Sequence, residues 1–141
     1  MKIFIALLLM LGTINYAYSQ DSWKIIHNSV LLLQSKEEDP AKNTFAIRIP
    51  SLSKAGFLSV TYTENPKLKD WKRTLMIVDE NDSEFFRKEG SSVKIENNLL
   101  RSYFKKSNVL KVYTMALPSD PEKAALVRVR RIHLATITLK R

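Results

Sequence analysis

Two clusters of cations offer the clearest chemistry in this chain. Lys67, Lys69, Lys72 and Arg73 surround Trp71, with Asp70 interposed. Arg128, Arg130 and Arg131 gather towards the C-terminus, where Lys140 and Arg141 follow. Guanidinium forks grip phosphate, sulfate or carboxylate in a bidentate manner, and an indole face stacks on a sugar or a base. On one concave surface these residues would form an anion site. Their competing role is structural: Trp71 anchoring a core or sheet end, and Arg128 and Arg130 forming cross-strand pairs with Glu or Asp.

Catalytic chemistry finds less support. A nucleophilic hydrolase needs Ser or Cys beside an oriented His. Cysteine is absent, and the histidines are His27 and His133 alone. No Gly-x-Ser-x-Gly elbow, Walker pattern or dinucleotide glycine pattern occurs. Two histidines far apart in sequence make a weak zinc set. Asp79-x-Asn81-x-Ser83 loosely follows a calcium loop, but Glu84 stands where the tight turn needs glycine and Gly90 where the closing glutamate belongs. Glu37-Glu38-Asp39 is a carboxylate cluster of adjacent loop residues, which do not face each other across a sugar. We therefore expect no enzyme and no cofactor. An enzymatic reading, a small hydrolase, would require His133, Asp79 and Glu96 to converge in a pocket.

The elements that position these residues are read from periodicity. Short runs of β-branched and aromatic residues alternate with polar clusters, as in an all-β domain. Trp23 to Gln34 reads as one long or two short strands interrupted at Asn28-Ser29. Thr44 to Ile49 alternates, with Phe45, Ile47 and Ile49 on one face. Strands follow over Phe57–Thr63 and Trp71–Val78, and Asp79 to Ser83 turns the chain into a returning arm from Glu84. Val93 and Ile95 mark another strand, and Val109 to Ala116 one more. Leu99, Leu100, Tyr103 and Phe104 recur at helical spacing, which predicts one short helix near 98–106 with Asn97 or Asn98 as N-cap. Its apolar face, flanked by Arg101, Lys105 and Lys106, would close one end of the core or rest on an anionic membrane.

Ala124 to Lys140 reads as a long final strand. Its period of two slips between Val129 and Ile132, and again between Leu134 and Ile137, which predicts a β-bulge near Arg130-Arg131. The expected architecture is a single antiparallel β-sandwich, jelly-roll or immunoglobulin-like, of about seven or eight strands.

The first nineteen residues bear on location. Lys2 precedes an unbroken apolar run, Ile3 to Leu11, and Ala17-Tyr18-Ser19 places small residues at the two positions a signal peptidase reads. The run is too short to span a bilayer. A signal peptide over residues 1–19, cleaved between Ser19 and Gln20, is expected, with residues 20–141 as one domain. Without cysteine there is no lipobox and no disulfide, and a domain of this size can rely on packing instead. The net charge is +9, or +8 once Lys2 is lost. That excess draws the protein to anionic surroundings without specifying a fold.

The sequence thus leads to an exported, periplasmic or extracellular, cysteine-free and basic binding or assembly module. Its most specific form recognises an anionic glycan, lipid head group or other acidic surface through Lys67, Lys69, Trp71, Lys72, Arg73, Arg128, Arg130 and Arg131. The alternative is a structural subunit of a cell-envelope complex that binds a protein partner through an exposed strand edge. No nucleic-acid motif and no transmembrane segment in the mature chain is read.

Overall fold

Alternating apolar residues dictate two β-sheets. The computed structural model describes residues 20–141, so the leader expected over 1–19 lies outside the described residues. Nine strands are described: β1 (Ser22–His27), β2 (Val30–Ser35), β3 (Thr44–Arg48), β4 (Phe57–Thr63), β5 (Trp71–Val78), β6 (Glu84–Glu89), β7 (Ser92–Glu96), β8 (Val109–Pro118) and β9 (Ile132–Lys140). One sheet has the order β2-β1-β4-β7 and the other β3-β9-β8-β5-β6. All pairings are antiparallel except β3 with β9, which is parallel. The expectation of a wholly antiparallel arrangement of seven or eight strands is corrected accordingly.

Both sheets contribute to one apolar cluster. Trp23 and Ile25 of β1, Leu58 and Val60 of β4, and Val93 and Ile95 of β7 meet Ile47, Leu75, Ile77, Leu110, Val112 and Ile137 of the other sheet. Within each strand these residues are two positions apart, the spacing that turns side chains to one face. The Trp23 indole N–H crosses to the other sheet and donates to the Leu134 carbonyl at 2.9 Å. Truncating a fully buried residue such as Leu58 or Leu110 would cost about 2–5 kcal/mol.

Three short helices are described rather than one. α1 (Ile49–Leu52) follows β3 immediately, with Pro50 in its first turn. α2 (Asn97–Phe104) is the helix read from sequence, and it buries Leu100, Tyr103 and Phe104. Its N-cap is Glu96, with no side-chain capping bond. Asn97 is used elsewhere: its Nδ2 donates to Asn28 Oδ1, Ser51 O and Lys54 O, and its Oδ1 accepts from His27 Nε2 at 2.9 Å. Gly56 packs so closely on this knot that a Cβ there would lie 2.0 Å from Asn28 Oδ1.

α3 (Pro121–Leu126) occupies part of the stretch expected to be a long final strand. The local signals are Asp120, whose side chain accepts from the Glu122 N–H at 2.9 Å, and Pro121 in the first turn. Residues 127–131 are not strand, so no bulge exists at Arg130-Arg131. The ladder irregularity lies further on: Val112 pairs with Ala135 and Tyr113 with His133, leaving Leu134 as the extra residue. That is the second slip in periodicity, and the first reflects the end of regular structure.

Candidate functional site

The first basic cluster lines a cleft of about 410 Å³, formed by the end of β4, the connection from Glu64 to Asp70, the start of β5 and the β6–β7 turn. Period-two alternation puts Arg73 on the same face of β5 as Leu75 and Ile77, so it points inward at the edge of the core. Its guanidinium lies 4.0 Å over the Tyr62 ring, which also stacks parallel to Trp23 with ring centroids 5.9 Å apart. Arg73 Nε donates to Glu64 Oε1 at 2.6 Å, and Nη1 donates to Thr114 Oγ1 at 3.0 Å. A buried cation is tolerable only when paired and hydrogen-bonded, and both conditions are met.

The loop above is tied down from several sides. Glu64 Oε2 accepts from the Leu68 N–H, and Asp21 accepts from both the Asn65 N–H and the Tyr62 hydroxyl. Burial first, and then the bond to Asp21, hold the Tyr62 phenol above the usual tyrosine range. At the loop's end Asp70, at a φ of 59°, accepts from the Ser119 N–H through its carbonyl. Gly90, at a φ of 133° that side chains rarely adopt, donates its N–H to the Arg73 carbonyl at 2.7 Å.

Above this floor Trp71 is 40% exposed, Lys67 and Lys72 line the cleft, and Lys72 approaches Glu89 at 3.9 Å. Three cations thus face two carboxylates around an open indole. Lys69, on the same loop, is exposed but does not line the cleft. Such a surface offers stacking to a flat apolar face and charged hydrogen bonds to a ligand's polar rim.

The second basic cluster stands apart, on the β8–β9 connection. Arg130 pairs with Glu38, whose other oxygen accepts from the His133 N–H at 3.0 Å. That backbone bond, with help from Arg130, holds the Glu38 carboxyl below its ordinary value. Arg131 lies 4.3 Å over the Tyr113 ring and reaches Asp82 Oδ1 at 3.1 Å. Arg128 is exposed and has no salt bridge among the described residues. None of these three lines the cleft.

The histidines are each bound into the fold. His27 is buried on Asn97, and His133 is buried edge-on to Tyr113 at 5.5 Å with Nε2 against Thr136 Oγ1 at 2.8 Å. Burial keeps the His133 imidazole below its ordinary range, against the opposing pull of Glu38. Asp79 Oδ1 accepts from the N–H groups of Asn81 and Ser83, the geometry of a turn closed by an aspartate side chain. Among the described residues no group of three or more His, Asp or Glu is placed to hold a metal ion. No helix of the described residues is long and apolar enough to cross a membrane.

Sequence reasoning missed Glu64, Tyr62 and Glu89. Tyr62 was legible as an inward position on β4, two residues after Val60. The carboxylates carried no signal, because their roles depend on how β4, β5 and β6 lie beside one another. No known protein family and no curated protein matches the chain.

Proposed function

We propose that this protein is an exported, non-enzymatic binding module whose ligand is an acidic glycan held in the Trp71 cleft. The observation that carries this reading is the convergence of a half-open indole with Lys67 and Lys72 over the fixed Arg73–Glu64 pair. A sugar ring would stack on Trp71, its carboxylate or sulfate would meet Lys67 and Lys72, and its hydroxyls would reach Glu89. A concave pocket lined by charged groups around one aromatic face suits one sugar unit better than a flat lipid surface. Residues 1–19 would direct the chain out of the cytoplasm.

The finer fold assignment supports the same reading. We take the two sheets as the layers of an immunoglobulin-like sandwich rather than a jelly roll. The run β6-β5-β8-β9 follows the C′-C-F-G order of such domains, and β1-β4-β7 follows A-B-E. On that correspondence the cleft lies among the loop between B and C and the turn after C′, the end at which variable domains bind. This is an analogy of fold, and the chemistry of the cleft is the stronger argument.

Retention on a heparin matrix tests the proposal. The protein should bind at low salt and elute as ionic strength rises, and the double variant Lys67→Glu, Lys72→Glu should elute far earlier. Equal retention of that variant, or retention indifferent to salt, would remove the cleft from the interaction.

A further inference from the structure

A second groove is lined by residues different from those of the Trp71 cleft. One edge strand of each sheet, β2 and β3, flanks a groove of about 410 Å³. Its walls include Val30 and Leu32 from β2 and Ala46 and Ile47 from β3, and Arg48 and Lys54 supply cations. No carboxylate lines it, and neither cation has a salt bridge among the described residues. The His27–Asn97–Asn28 knot adjoins its floor and keeps the shape fixed.

The two edges differ in readiness to pair. β2 carries an irregularity, since Ile25 pairs with Leu33 and Ile26 with Leu31, leaving Leu32 as the extra residue. A bulge blunts an edge against further strands. β3 has no such defect. The Asn43 carbonyl accepts from the Thr136 N–H of the neighbouring strand. Backbone groups alternate sides along a strand, so those of Ala46 and the N–H of Arg48, whose carbonyl begins α1, point away from β9, towards the groove.

We propose that β3 receives an extended segment of another protein, with apolar residues at alternate positions and a carboxylate over Arg48 and Lys54. Main-chain hydrogen bonds to Ala46 and to the Arg48 N–H would give register, and the apolar walls would select side chains. The charge balance favours a foreign partner over a second copy. Two copies, each with a net charge of +9, would bring Arg48 and Lys54 against a cationic surface.

Panning a phage-displayed random heptapeptide library on the purified protein tests this. Enriched peptides should alternate apolar residues and contain Asp or Glu. They should bind at least tenfold more weakly to Ala46→Pro, which loses the outward N–H at an edge that tolerates proline. The double variant Arg48→Glu, Lys54→Glu should lose the same binding, and it decides the matter if Ala46→Pro fails to fold by circular dichroism. Trp71→Ala should bind these peptides as the parent does, which separates this groove from the glycan cleft. No enrichment, peptides without acidic residues, or undiminished binding to both edge variants would overturn the proposal. A dimer abolished by Ala46→Pro in sedimentation would assign the edge to a second copy and overturn it equally.

Discussion

The two basic clusters are alike in sequence and opposite in what the fold does with them. At the β8–β9 connection, acidic loop residues come to the cations: Glu38 reaches Arg130 and Asp82 reaches Arg131. In the cleft Arg73 is buried against Glu64 and lies over Tyr62, which stacks in turn on Trp23, while Lys72 meets Glu89 only through an exposed pair at 3.9 Å. Lys67 and Trp71 remain open above Arg73. A cluster of positive charge therefore becomes a staple where acidic loops fold onto it, and a binding surface where they do not.

Removing one arginine from each region gives the sharpest contrast. Arg73→Ala leaves the Glu64 carboxylate, 13% exposed, without its partner, and should cost about 3–5 kcal/mol in urea unfolding. A loss below 1 kcal/mol would mean that the floor is not structural. Trp71→Ala should leave stability nearly intact but weaken heparin-fragment binding at least tenfold, about 1.4 kcal/mol. Fluorescence can follow this binding, because Trp23 is buried and Trp71 exposed. The ligand-induced change should vanish in Trp71→Phe, and its persistence would place the ligand elsewhere.

The stapled region should show itself through pH. Burial holds the His133 imidazole below its ordinary 6.5, so the unfolded chain takes up the proton first as pH falls. Stability should therefore decline as pH drops below about 6.5. Glu38, held below its ordinary 4.5, adds a second decline only at more acidic pH. Unfolding midpoints for His133→Gln should be flatter across about pH 7 to 5 than those of the parent. An unchanged slope would remove His133 from the effect. The smallest change belongs to Arg130→Ala, whose side chain is 71% exposed and whose loss should cost about 0–1 kcal/mol.

Many of the strands were legible: alternation over Phe57–Thr63 states which face is buried, and the apolar run Leu75–Val78 is buried on both faces. The helix over Asn97–Phe104 was legible from the spacing of Leu100, Tyr103 and Phe104. The last strand was misread because Val127 and Val129 continue an apolar alternation that Asp120-Pro121 overrides locally by starting a helix. Trp71, Lys72 and Arg73 were visible as a cluster, and they do share a cleft with Lys67. That Arg128, Arg130 and Arg131 lie outside it was not legible, since their partners Glu38 and Asp82 are distant in sequence. The parallel pairing of β3 with β9 was hidden for the same reason.

That pairing dictates a timetable for folding. Thr138 and Phe45, 93 positions apart, are neighbours across it. β3 therefore leaves the ribosome long before the strand it adjoins exists. β9 lies in the interior of its sheet, between β3 and β8, so the sheet cannot close until β9 has emerged. Such non-local closure is slow, and it leaves β3 without its neighbour in a nascent polypeptide until β9 has been made.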